Sequence, residues 1–450
     1  MKRKYFGTDG VRGRVGGEWI NPEFARRLGF AAGAYLRART EAAPLVVVGR
    51  DTRYSGPEIE NALVQGLTES GADVLRTGVA PTPAVAMAVL HFRAGLGAVI
   101  TASHNPAHDN GIKFFSASGA KLRDQDEIEI ESIIDASDRG ERAGRAGSQK
   151  EAAENGAFYV DKLAGLLPAD GLAGWNIVLD TANGAGYRTA PAVLRRLGAR
   201  LVTLGDAPDG YNINDGVGSQ HPERMGERVR EEGAAIGIAL DGDGDRIVLS
   251  DETGTVLDGD EVLAILALSA LRRGALAHDT LVVTKQSNLG LDEAIRNAGG
   301  RVERTDIGDR YVAERMIAGG FNLGGESSGH ILFTDISPAG DGLLAALKVI
   351  EVMRETPGAQ GLSALRSWLR RYPQRSESLT VRAKPDWATL VHLSAIIREA
   401  ERAMGKEGRV LARFSGTEPK LRLLVESREA AQVSEWMDKL REAAGRDGLL

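Results

Sequence analysis

No cysteine occurs anywhere in the chain. Disulfides, thiolate metal ligands and cysteine nucleophiles are thereby excluded, and a reducing compartment, the cytoplasm, is the expected setting. An excess of one charge is also missing, since 56 basic and 62 acidic residues are interleaved and leave a net charge of −6. No nucleic-acid or membrane partner is expected, and an anionic ligand must be held by local basic groups. There is no long hydrophobic run. The most apolar segment, Val262 to Ala270, is too short to span a bilayer and ends in Arg272-Arg273, so it reads as a core helix. The basic start MKRKYFGTDG lacks the apolar stretch of a secretory signal. The Walker A pattern is absent, and Gly184-Ala-Gly186 is only part of a dinucleotide fingerprint because Thr189 stands at the third glycine position.

What is present supports several cores: 450 residues, 42% hydrophobic and 26% charged, in roughly two to four domains. One plan recurs. Leu45 to Gly78, Trp175 to Gly205 and Thr280 to Gly308 each read as a β-branched strand, a polar loop, an amphipathic helix and another strand. That order predicts parallel βαβ units in three related α/β domains. Each unit then supplies a further strand ending in an unusual loop: GAVITASHN, AAIGIALDGDGDRIVLSD and GFNLGGESSGHILF. In open α/β sheets ligands bind outside the carboxyl ends of strands, so these loops are expected around a central cleft. The segment 138–155 is polar and reads as a linker, and the chain from 371 onward reads as a smaller α+β domain. The predicted fold class is α/β: three related domains with mixed sheets (1–150, 151–255, 256–370) and an α+β C-terminal domain (371–450).

The loops carry chemistry. ITASHNPAHDNGIKFF brings Ser103, His104 and Lys113 after a strand, with turns expected at Asn105-Pro106 and Asn110-Gly111. ALDGDGDRIV spaces Asp241, Asp243 and Asp245 at alternate positions, and three carboxylates this close call for a cation. An EF-hand is excluded although Glu252 falls at its twelfth position, because Arg246 replaces the glycine of the sharp turn and the flanks are strands. Three oxygens leave an octahedral ion open to substrate, which suits Mg²⁺ in phosphoryl transfer. GGESSGH combines Glu326, Ser327, Ser328 and His330, suited to vicinal hydroxyls and a proton. RFSGTEPKLRL gathers Arg413, Ser415, Gly416, Thr417, Lys420 and Arg422 as a phosphate cradle. FGTDGVRG offers Arg12 on a glycine-flanked turn. A Ser/His hydrolase is disfavoured, since no G-x-S-x-G surrounds Ser103 and adjacent residues at a strand end point apart.

FGTDGVRG, TASHNP, DGDGDR, GGESSGH and RFSGTEP, in this order, resemble the α-D-phosphohexomutases, and the resemblance covers essentially the whole chain. YFGTDGVRG, DNGIKFF, DGYNINDGVGSQHPE and IGDRYV lean toward the amino-sugar branch, with two departures: Ser327 where Gln is usual and Val217 where Cys is usual. The resemblance implies reversible transfer of phosphate between the 6- and 1-positions of a hexose, through a phosphoserine enzyme and a hexose 1,6-bisphosphate. The expected hexose phosphate is glucosamine 6-phosphate, with the mannose or glucose phosphates as alternatives. It makes Ser103 the phosphoserine and gives Mg²⁺ to Asp241, Asp243, Asp245 and an oxygen on Ser103. His104, Glu326 and Ser328 would bind sugar, and Arg413, Ser415, Gly416, Thr417 and Arg422 the phosphate that is not reacting. Arg12, Lys113 and Arg246 would stabilise charge, with His330 or Lys113 assisting proton transfer. A homodimer is left open.

Overall fold

In a computed structural model the described residues are 3–40, 43–136, 145–152, 156–356, 358, 361–415 and 419–450. They form two compact units, 1–286 with 299–368, and 287–298 with 369–450.

The β-branched runs of the three repeats become strands because they are buried on both faces, as in Thr280–Thr284 and Ile236–Leu240. Leu45–Arg50 pairs in parallel with Asp73–Val79, Asn176–Asp180 with Arg200–Leu204, and Thr280–Thr284 with Arg301–Thr305. On its other side each first strand takes a further parallel partner: Leu96–Ile100, Ile236–Leu240 and Leu323–Gly325. Each of these three then pairs antiparallel with the strand that follows: Asp109–Ser116, Ile247–Ser250 and Ile331–Phe333. All three sheets are thus mixed and repeat one topology. The connection leaving the carboxyl end of the third parallel strand carries TASHN in the first sheet, DGDGD in the second and ESSG in the third. These loops belong to the same compact unit, and that shared position brings their side chains together.

Helix Gly259–Arg272 confirms the apolar run as core, opened by a capping box between Asp258 and Glu261. No helix among the described residues is long and apolar enough to cross a membrane. Within the segment expected as a linker, Gln149–Glu151 extends the first sheet beside Asp73–Val79, while 137–144 and 153–155 lie outside the described residues.

The second unit has a three-stranded antiparallel sheet with Lys420–Ser427 between Gln374–Thr380 and Gly408–Phe414. Helices Val391–Met404 and Ala430–Arg446 close its core around Leu393, Leu421, Met437 and Leu440. Helix Leu289–Asn297, expected with the third repeat, belongs to this unit. The Asn288 side chain accepts from Tyr372 N at 2.9 Å, and Glu426 accepts from Leu289 N at 2.6 Å.

Asn110-Gly111 is not a turn. Both residues lie in strand Asp109–Ser116, opposite Gly13 and Arg12, so Lys113 is a strand residue facing Val99 in the pairing rather than part of a loop. Glycine serves here for close approach: a Cβ at Gly111 would lie 2.6 Å from Thr101 O and 2.7 Å from Val11 O, both backbone atoms. Gly111→Ala is therefore expected to destabilise the protein by about 1–3 kcal/mol, read as a lower urea midpoint. An unchanged midpoint would show that the strands part at no cost.

Candidate active site

Ser103 lies past the end of strand Leu96–Ile100, fully buried and with a left-handed φ of 52°. Its N–H donates to Thr101 Oγ1 at 2.8 Å and its hydroxyl to Asp241 Oδ2 at 2.6 Å. The left-handed turn also brings His104 Nδ1 to 3.3 Å from Ser103 Oγ. The two side chains do not point apart as expected, because the alternation of an extended strand has already ended at Ile100. Burial, then Arg246 and Arg12, lower the His104 pKa to about 4, leaving a neutral imidazole beside the hydroxyl. Beneath the loop runs a buried guanidinium. Arg53 pairs with Asp51 at 2.9 Å and donates to the carbonyls of Ser103 (2.9 Å), Asn105 (2.8 Å), Asp109 (3.0 Å) and Pro106.

Asp241, Asp243 and Asp245 are buried, each offering an oxygen within 4.8 Å of the others. Lys113 Nζ stands 2.7 Å from Asp243 Oδ2 and 3.3 Å from Asp245 Oδ2, and Thr82 Oγ1 donates to Asp243 Oδ2 at 2.7 Å. Arg246 donates its backbone N–H to Asp241 Oδ1 at 3.1 Å. Burial, reinforced by the neighbouring Asp243 and Asp245, holds Asp241 well above the usual carboxylate range. For Asp245 burial is opposed and outweighed by Lys113 and His330, which keep it well below. Asp243 Oδ1 and Asp245 Oδ1 are buried without a hydrogen-bond partner among the described residues. Orphaned carboxylate oxygens are costly, and a hard cation satisfies them. The triad can hold a metal ion.

A charged chain extends from the triad. Asp9 is paired with Arg12 and Lys121 and lies 3.4 Å from Lys113. Lys121 reaches Asp309 at 2.5 Å, and His330 lies between Asp309 (3.2 Å from Nε2) and Asp245 (3.6 Å from Nδ1). Burial would lower the His330 pKa, but Asp309 and Asp245 outweigh it and lift it to about 9. In Lys113 burial likewise loses to Asp243, Asp9 and Asp245, which raise it far above the ordinary lysine range. Both groups are cationic here and suited to stabilising negative charge, and of the two the His330 imidazolium gives up a proton more readily than the tightly held Lys113 ammonium. Asp9, Arg53, Lys121 and Asp309 went unrecognised in the sequence. Asp9 and Asp309 lie inside FGTDGVRG and IGDRYV, but nothing local marks them as partners of Lys121.

Glu326 accepts from Gly308 N at 3.1 Å, and burial followed by Asp309 raises its pKa. Ser328 is exposed on the same loop. In the second unit Arg413 and Arg422 are paired positions of adjacent strands, and burial together with Arg422 lowers the Arg413 pKa. Like charges face to face destabilise a sheet unless opposite charge lies near them. Ser415 is buried and its carbonyl accepts from Lys384 at 2.6 Å. Gly416 and Thr417 lie outside the described residues.

Four family descriptions match the chain: phosphoglucomutase/phosphomannomutase α/β/α domain I at residues 3–141, domain II at 157–254, domain III at 258–372 and the C-terminal domain at 374–443. The chain belongs to the phosphoglucomutase/phosphomannomutase family. It is 45% identical to the phosphoglucosamine mutase of Syntrophotalea carbinolica over 96% of this chain and 95% of the relative. To that of Caulobacter vibrioides it is 46% identical, over 98% and 99%. Among solved structures, a phosphoglucomutase/phosphomannomutase family protein of Burkholderia thailandensis shares 26% identity, with a TM-score of 0.83 over 99% of this chain and 98% of that one. As a family member the chain is an enzyme, a phosphohexomutase that relocates a phosphoryl group on a hexose phosphate. The triad loop falls in the family's domain II, the Ser103 loop in domain I and the Glu326 loop in domain III. A cavity of about 820 Å³ touches Lys121, Asp245, Asp309 and His330, but neither Ser103 nor Lys113 lines it, so it is not the space in front of the serine.

A cation on the triad must stabilise the fold. Mg²⁺ at a hundredfold excess over its Kd adds about 2.7 kcal/mol, so the unfolding midpoint of the metal-free phosphohexomutase should rise on adding Mg²⁺. Asp245→Asn should lose most of that rise, and an equal rise in the variant would remove Asp245 from the site.

Proposed function

We propose that this phosphohexomutase interconverts glucosamine 6-phosphate and glucosamine 1-phosphate through phosphoserine at Ser103 and glucosamine 1,6-bisphosphate. The observation that carries the reading is Ser103 Oγ, 2.6 Å from Asp241 in a buried three-carboxylate cluster that Lys113 also faces. The 45–46% identity to relatives named phosphoglucosamine mutase, over nearly the whole of each chain, supports the amino sugar.

The C1 hydroxyl of glucosamine 6-phosphate attacks the phosphorus on Ser103. The new C1–O–P link forms as the serine O–P bond breaks, the C1 hydroxyl loses its proton and Ser103 Oγ takes one up in net exchange, leaving the serine hydroxyl. The bisphosphate then turns round, and Ser103 Oγ attacks the phosphorus at O6. Ser103 regains a phosphoryl group and gives up its hydroxyl proton, O6 takes up a proton as its bond to phosphorus breaks, and glucosamine 1-phosphate leaves. Asp241, Asp243, Asp245 and a phosphoryl oxygen on Ser103 would hold Mg²⁺, which when bound supplies positive charge against the transferring group. Arg12, Lys113 and Arg246 stabilise the charge that spreads over the phosphoryl oxygens. His330 or Lys113 would assist proton transfer, His330 being the readier donor because the carboxylates around Lys113 hold its proton more tightly. His104, Glu326 and Ser328 orient the sugar. Arg413, Ser415, Gly416, Thr417 and Arg422 hold the distal phosphate, and a single cradle serves both orientations because the intermediate is pseudo-symmetric. A cytoplasmic setting accompanies this reading.

The test compares kcat/KM for glucosamine, glucose and mannose 6-phosphates with Mg²⁺ and a trace of the matching bisphosphate. The amino sugar should lead by about tenfold or more. A lead for glucose or mannose would overturn the sugar and keep the mechanism. Ser103→Ala should reduce turnover by roughly a thousandfold or more, and full turnover in that variant would end the phosphoserine reading.

A further inference from the structure

The segment Asp209 to Glu223 stands out in the sequence but has no part in the chemistry above. Its turn is secured by Asp209, whose carboxylate accepts from Tyr211 N at 2.7 Å and Asn212 N at 2.9 Å. Asn214 follows, buried, with a left-handed φ of 59° and its N–H donated to Ala182 O at 2.9 Å. Its side-chain amide crosses to the first sheet's loop, donating to Ser103 O at 2.9 Å and Asn105 O at 3.1 Å. Carbonyls only accept, so this contact also fixes which way the amide points. The same two carbonyls accept from Arg53. Arg53 therefore anchors the loop to its own sheet, and Asn214 anchors it to the chain segment whose sheet carries the triad.

The triad loop leaves room for this contact. A Cβ at Gly242, between Asp241 and Asp243, would lie 2.7 Å from Asn214 Nδ2 and 2.6 Å from Ser103 O. The amide is thus packed where the two loops meet. Ser103 itself occupies a backbone conformation that non-glycine residues rarely adopt, and such a conformation persists only when its surroundings over-determine it.

We propose that Asn214 is a positioning residue for phosphoryl transfer: by holding the carbonyls of Ser103 and Asn105 it sets where Ser103 Oγ stands relative to Asp241. The proposal rests on the phosphoserine reading of Ser103. Among the described residues the Asn214 side chain bonds to backbone carbonyls and not to a side chain assigned to sugar, so its loss should slow transfer more than it weakens substrate binding.

The experiment follows phosphoryl uptake from glucose 1,6-bisphosphate onto dephosphorylated full-length enzyme by intact-protein mass spectrometry, beside steady-state mutase kinetics. Wild type, Asn214→Ala, Asn214→Asp and Asn183→Ala are compared. Asn183 supports the same turn through Asn212 O at 3.1 Å without reaching the Ser103 loop, so its variant reports a merely structural contribution. Both Asn214 variants should take up phosphate and turn over about ten- to a hundredfold more slowly, with KM within twofold of wild type and an unfolding midpoint close to that of Asn183→Ala. Uptake at the wild-type rate overturns the proposal. So does failure of both Asn214 variants to fold, or equal slowing in Asn183→Ala, since either makes Asn214 scaffold. If wild type itself takes up no phosphate on Ser103, the phosphoserine reading is what has failed.

Discussion

Three carboxylates within 4.8 Å of one another, all buried, form an arrangement that like-charge repulsion and desolvation both oppose. It exists here because cations surround it. Lys113 comes from the first sheet, Arg246 from the triad's own loop, and His330 from the third sheet, each held protonated by the carboxylates it faces. Even so, two carboxylate oxygens remain without hydrogen bonds among the described residues, a deficit that a metal ion on the triad could relieve. The cluster is thus a concentration of buried charge of both signs, with carboxylate oxygens left for a cation.

Fold topology makes the concentration feasible. One strand order, repeated in three sheets, places the departing loop of each at the same point, the carboxyl end of the third parallel strand. Each loop then contributes a different chemistry: a hydroxyl, a set of carboxylates, and a glutamate with an imidazole. The loops approach closely because backbone meets backbone. Gly242 against Ser103 O and Gly111 against Thr101 O are positions where a single methyl group would separate them.

Beyond the first layer, charges alternate in sign from Arg12 and Lys113 through Asp9 to Lys121, Asp309 and His330. Such a network resists removal of any member, since each deletion strands a buried charge. Burial, helped by Arg246 and Arg12, keeps the imidazole of His104 neutral, while in His330 two carboxylates outweigh burial and keep it charged.

Local sequence carried the strand–helix–strand repeats, the core helix Gly259–Arg272 and the three polar loops that leave equivalent strands. These follow from periodicity and from residue types that a core does not tolerate, both properties of neighbouring positions. It misplaced what depends on distant partners. Asn110-Gly111 looked like a turn because that dipeptide favours one, yet pairing with Val11–Arg14 drew it into a strand. Ser103 and His104 were expected to diverge because strands alternate, yet a left-handed residue folded them together. Asp9, Asn214 and Asp309 lie in motifs that stand out in the sequence, yet neither they nor Arg53 and Lys121 carry a local mark of which partner they meet. Their roles come from burial beside an opposite charge or a backbone carbonyl many residues away, and only the packing of one sheet against another decides which carboxylate meets which lysine.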